Sequence, residues 1–181
     1  MATLFNKSPY ALQYLDYRGL TYTIFGNGTV QGLGSLIFNV DSGVQYAHSY
    51  AILQDGNIEI YSIINKYGSA GASVTFSNNN GSLFSLNLGI YNTINFSISY
   101  KIGSSAKANC SISSFGQTMF TGQNHSNSEV FYDQEISNNL SQLGALGDSF
   151  NIQLVCDTYG STSSSQYTAT MVVKKIWLSI S

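Results

Sequence analysis

Ile94, Phe96, Ile98 and Tyr100 alternate with Asn95, Ser97 and Ser99, and an apolar period of two is the pattern of a strand with one buried face. The same period returns in Phe150, Ile152, Leu154 and Cys156 against Asn151, Gln153 and Asp157, and in Ile58, Ile60 and Ser62 against Asn57, Glu59 and Tyr61. A chain that repeats such stripes hides them by laying one sheet on another.

Strand signals cover most of the chain. Leu20 to Phe25 is followed by the turn residues Gly26, Asn27 and Gly28, then by Ser35 to Val40. Tyr46 to Gln54 and Asn57 to Ile64 are separated only by Asp55 and Gly56, a pair that accepts the left-handed geometry of a two-residue hairpin. Further strands are expected at Ser82 to Leu88, Ile94 to Ile102, Ala106 to Ser113, Thr118 to Thr121, Val130 to Gln134, Ser149 to Tyr159 and Tyr167 to Ile180. Ser137 to Leu146, with Leu140, Leu143 and Leu146 at helical spacing, predicts one short helical segment, limited by Gly144 and Gly147. About ten strands at this spacing predict an all-β fold, an antiparallel jelly-roll β-sandwich. Connections are too short for crossover helices, which excludes parallel α/β folds, and the lack of a fixed period argues against propellers and solenoids. Residues 1–19, with Tyr10, Leu12, Tyr14, Leu15 and Tyr17, are expected to form an arm or edge strand, and residues 20–181 a single domain.

Composition narrows the function classes. The chain of 181 residues is 13% aromatic and only 9% charged, too apolar for disorder and too poor in Glu, Lys and Arg for a helical bundle. Seven basic and nine acidic residues leave a formal net charge of -2, and the single basic pair Lys174 and Lys175 argues against nucleic acid or an anionic membrane as partner. No apolar run reaches the roughly 20 residues of a membrane helix. Lys7 is not followed by an apolar block, so no signal peptide is seen and export by the usual route is not expected. Abundant neutral hydrogen-bonding groups suit hydroxyl-rich ligands or protein partners.

Catalytic motifs are missing: no nucleophile elbow, phosphate loop, calcium loop or zinc helix is present. Hence no catalytic residue, metal or cofactor is expected, and the protein reads as a binder, not an enzyme. Of the two histidines, His48 falls in a strand and His125 in a polar loop. The nine carboxylates allow a chance pair of the kind glycosidases use. Cys110 and Cys156 both point inward in strands and read as buried free thiols, with a disulfide as the alternative. Two groups have the mix of aromatic face, amide and carboxylate that suits a sugar. One is Asn124, His125, Tyr132 and Asp133; the other is Asp157 and Tyr159, beside a Ser-rich loop.

The closing half, from Ser82 to Ile180, runs through Ile94 to Tyr100, the small-residue strand Ala106 to Ser113, Phe115 and Gly116, the polar stretch Glu135 to Gly147, Phe150 to Cys156 and the ending Lys175, Ile176, Trp177 and Leu178. This order resembles the closing strands of galactose-binding-like jelly rolls, a layout shared by carbohydrate-binding modules. The wealth of Asn, Ser, Gly and Tyr also looks like the appendage and fibre-tip proteins of bacterial viruses. These resemblances imply a non-enzymatic viral or phage structural protein that binds a cell-surface glycan or receptor. They place it in the virion, or outside the cell after lysis, as a homo-oligomer that a fibre tip would make a trimer. The alternative is a capsid or tail jelly-roll subunit that contacts only other virion proteins.

Overall fold

A computed structural model describes residues 21–30, 35–41, 47–78, 91–103, 107–114, 117–124, 130–139, 150–160 and 166–180. They form twelve strands: β1 (Thr21–Gly26), β2 (Thr29–Val30), β3 (Ser35–Asp41), β4 (Ala47–Gln54), β5 (Asn57–Ile64), β6 (Gly68–Asn78), β7 (Thr93–Ile102), β8 (Ala108–Ser114), β9 (Gln117–Thr121), β10 (Tyr132–Asn139), β11 (Phe150–Gly160) and β12 (Tyr167–Ser179). Sheet A runs β10-β7-β12-β1-β2, with β5 and β4 added on the β1 side of β12; sheet B runs β3-β6-β11-β8-β9. Every pairing is antiparallel. After β5, all connections except the β8–β9 hairpin cross to the opposite sheet, which gives the expected jelly-roll sandwich.

Tertiary organisation follows from the period of two. Ile94, Phe96, Ile98, Tyr100 and Ile102 of β7 and Met171, Val173, Ile176 and Leu178 of β12 face Val74, Phe76, Ile152, Leu154 and Ile112 of sheet B, all buried. Phe25 and Phe76 meet edge-on, ring centroids 6.0 Å apart, where burial of each ring is worth roughly 1.5–3 kcal/mol. At one place the core turns polar: Ser49 donates to Ser62 at 3.5 Å, and Ser62 pairs with Thr158 at 2.8 Å, joining the sheets by hydroxyls.

Of three register shifts, two re-aim side chains between core and surface. One, between Thr23 and Phe25, buries the neighbours Ile24 and Phe25 together. The other, between Val173 and Lys175, leaves Lys174 and Lys175 both on the outside.

The Asp55–Gly56 hairpin forms as expected, with φ of 50° and 78°, and Asn27–Gly28 repeats it at 50° and 73°, the positive pairs of a type I′ turn. The two turns touch, Gly28 N donating to Gly56 O at 2.7 Å.

Three expectations change. The stretch Gly68–Asn78 was not expected as a strand, yet β6 lies second from the edge of sheet B; its core stripe is Ala70, Ala72, Val74 and Phe76, with Gly71 among the outward alternates. The strand expected to end at Gln134 runs on to Asn139, since Ser137 to Asn139 pair with Asn95 to Thr93, so the predicted helical segment cannot begin at Ser137. Its remainder, the strand expected at Ser82 to Leu88 and the arm 1–19 lie outside the described residues.

Candidate functional site

Sheet B turns a polar outer face to solvent, and register fixes what stands there. Asp41, Gly71, Asp157 and Asn109 form one row across β3, β6, β11 and β8; Asn39, Ser73, Val155 and Ser111 form the next. On the other side of the carboxylate row Ser69 pairs with Tyr159, whose N–H donates to Lys107 O at 2.8 Å. These rows line a groove of about 750 Å³.

Gly71 is the low point of its floor. A Cβ there would lie 2.6 Å from Asp157 Oδ1, so the carboxyl leans over the bare backbone towards the strand that carries Asp41. Crowding in the groove pushes the Asp157 carboxyl above its ordinary range, because burial disfavours the charged form. Tyr159 is 56% exposed. Lys107 stands between two rings, its Nζ 5.7 Å from the Tyr159 centroid and 5.9 Å from that of Tyr167, a cation–π contact that fixes the ammonium at the groove wall. The result is a trough with carboxylates, amides, hydroxyls, one ammonium and an aromatic ring. It can hydrogen-bond a neutral polyhydroxylated ligand from several directions while the ring packs on apolar C–H groups.

Of the residues singled out from sequence, Asp157 and Tyr159 stand together here, two apart on one face of β11. The other group is not assembled in the same way. Tyr132 and Asp133 are neighbours on β10 and point to opposite faces. The Tyr132 ring packs on the core, 6.1 Å from the Tyr100 centroid, whereas Asp133 lies on the outer face of sheet A. There it accepts from Lys174 Nζ at 2.7 Å and from the Ser99 hydroxyl. The Lys174 hydrogen bond, then that of Ser99, holds the Asp133 carboxyl below its usual range. Asn124 is exposed just beyond β9, and His125 lies outside the described residues.

Asn39, Asp41, Lys107 and Asn109 were missed as site residues. Lys107 and Asn109 are the polar alternates of Ala108 and Cys110, which the period of two had already turned outward.

A second aromatic group decorates sheet A. Tyr50 and Tyr61 are directly paired across β4 and β5, stacked with centroids 5.0 Å apart, and His48 leans on both. Burial and the 2.5 Å hydrogen bond from the Tyr50 hydroxyl to Glu59 Oε1 raise the Tyr50 pKa. Each ring covers the other, which is the role of a cross-strand pair that stabilises the hairpin. Among the described residues, no group of three or more His, Cys, Asp or Glu could hold a metal ion.

No protein-family profile and no curated protein sequence matches the chain. Among solved structures it is similar to carbohydrate-binding modules. One is TmCBM61 in complex with β-1,4-galactotriose, at 8% identity and a TM-score of 0.40, covering 82% of this chain and 90% of that one. Another is the CBM22-1 xylan-binding domain of Paenibacillus barcinonensis Xyn10C, at 14% identity and 0.37, covering 90% and 94%. A third is the family 11 module of Clostridium thermocellum in complex with a β-1,3-1,4-mixed-linked tetrasaccharide, at 12% and 0.39, covering 83% and 92%. All share low identity, and what the groove can hold follows from its own side chains.

Proposed function

We propose that the protein binds a glycan in the groove on sheet B. The observation that carries this reading is the row Asp41, Gly71, Asp157 and Asn109, in which the Asp157 carboxyl lies over the bare Gly71 backbone among further carboxylates and amides, with the exposed Tyr159 ring beside it. Hydroxyls of a sugar donate to the carboxylates and accept from Asn109 and Lys107, and its C–H face packs on the ring. Affinity electrophoresis against a panel of soluble plant, microbial and animal polysaccharides tests it. Wild-type protein should be retarded by at least one polymer, and Tyr159→Ala should lose about tenfold or more in affinity, as truncation of an aromatic anchor does. Retardation that survives Tyr159→Ala and Asp157→Ala unchanged would move the ligand off this groove; no retardation anywhere would remove the proposal.

One observation favours a second reading, glycoside cleavage. Asp41 and Asp157 stand on either side of Gly71 two strands apart, with Cα atoms roughly 10 Å from each other, and burial raises the Asp157 carboxyl above its ordinary range, as suits a general acid. Reducing-end release from any retarded polymer would establish it. Assembly on a virion appendage belongs to the same proposal. The exposed Ile37, Phe38 and Val40 of edge strand β3 and Ile52 and Leu53 of edge strand β4 provide apolar surface for self-association, which light scattering would read as a multiple of the chain mass.

A further inference from the structure

Cys110 and Cys156 are direct cross-strand partners on β8 and β11, both free and fully buried, with sulfurs 3.4 Å apart. The ladder around them identifies the kind of pairing. Tyr159 N donates to Lys107 O, which marks a hydrogen-bonded pair; three pairs further along, alternation makes Cys110 and Cys156 a non-hydrogen-bonded one. In agreement, the Cys110 carbonyl accepts from Gly122 N at 2.8 Å on the opposite side, away from β11. At non-hydrogen-bonded positions Cα atoms stand about 4.5 Å apart, inside the span of a disulfide. Closing a bond of about 2.05 Å asks each sulfur to move only about 0.7 Å.

We infer that Cys110 and Cys156 are a reversible dithiol–disulfide couple that latches β8 to β11 behind the floor of the groove. The next register pair is Asn109 and Asp157, so the latch ties the strands that present the groove's amide and carboxylate. In the reduced protein Cys110 Sγ donates to Thr170 O at 3.4 Å, reaching into sheet A, and closure exchanges this contact for a bond within sheet B. Burial, then the contact with Cys110, pushes the Cys156 thiol up, so the closed fold keeps the pair unreactive and exchange proceeds when β9 and β8 fray from the sheet edge. A low-molecular-weight disulfide is the oxidant. One cysteine thiolate attacks it and releases a first thiol; the second cysteine attacks the protein-bound sulfur and releases another. Two protein S–H bonds are lost, one S–S bond forms, and the oxidant leaves as two thiols carrying the protons.

The test is incubation of the folded protein with oxidised glutathione at mildly alkaline pH, followed by intact mass, thiol titration in denaturant and thermal melting. The expected product is about 2 Da lighter, carries no glutathione, has lost both thiols together and melts roughly 5–15 °C higher, the gain set by the 46-residue separation. Dithiothreitol should restore the starting mass and melting point. Cys110→Ala should show no such rise. A stable glutathione adduct on the wild-type chain, two thiols that persist after oxidation during refolding from urea, or a disulfide that lowers the melting point would each overturn the inference. None of these readouts depends on a glycan ligand, so they stand or fall apart from the binding proposal.

Discussion

Gly71→Ala separates what the groove does from what holds the sandwich together. The added methyl carbon would sit 2.6 Å from Asp157 Oδ1, where ordinary contact begins near 3.4 Å, so the carboxyl must retreat by about 0.8 Å. A carboxylate hydrogen bond of ordinary length, stretched by that amount, is no longer one. Its loss is worth about 1.5–3 kcal/mol, or roughly a 10- to 150-fold rise in the Kd for a glycan. Stability should hardly change. The clashing atom is the tip of a side chain, and alanine restricts the unfolded backbone, which stabilises by about 0.4–1 kcal/mol. Titration calorimetry with a retarded polysaccharide and urea unfolding of the same samples measure both quantities. In an Asp157→Ala background the Gly71→Ala effect on binding should vanish, because the two act through one contact. A Gly71→Ala protein that binds like wild type, or one whose loss persists without Asp157, would refute the account of the floor.

Two further outcomes follow from the same geometry. Since burial holds the folded Asp157 pKa above its unfolded value, the charged form is disfavoured in the fold, and that penalty is complete above the folded pKa and absent below the unfolded one. Asp157→Asn should therefore be more stable than wild type at neutral pH while binding glycan less well. The stability gap should close as pH falls through the carboxylate range, and urea midpoints that diverge on acidification would contradict this. Gly160→Ala is of a different kind: its Cβ would fall 1.6 Å from the Lys66 carbonyl oxygen, a backbone atom that cannot swing away. The variant should lose about 3 kcal/mol or more, and a loss under about 1 kcal/mol in chemical denaturation would show that the Lys66 segment gives way.

The fold was legible wherever alternation was dense and turns carried their own chemistry. The stripe Ile94 to Tyr100 and the Asp55–Gly56 hairpin needed nothing beyond local sterics. β6 escaped because its inward residues begin with Ala70 and Ala72 and its outward ones include Gly71, so the period of two carries little hydrophobic contrast. The smallness that hid the strand is what opens the groove above it. Site residues divide in the same manner. Asp157 and Tyr159 are two apart and share a face by strand geometry alone, which also sends the adjacent Tyr132 and Asp133 to opposite sides. Asp41 and Asn109 join them only through the β3–β6–β11–β8 order, a property of long-range pairing that no local pattern encodes.

β12 pairs with β7 along one side and with β5 and β1 in tandem along the other, and β11 likewise separates β6 from β8. During synthesis these two central strands emerge after every strand they join. Until residues 150–179 clear the ribosome, the earlier strand pairs wait with open edges, sheet A in three unlinked pieces and sheet B in two. Such non-local closure makes for slow folding and long exposure of apolar strands to neighbours in a polysome. A nascent chain stalled before β12 would be a bundle of sticky ribbons, so yield in the cell is governed by how long that interval lasts.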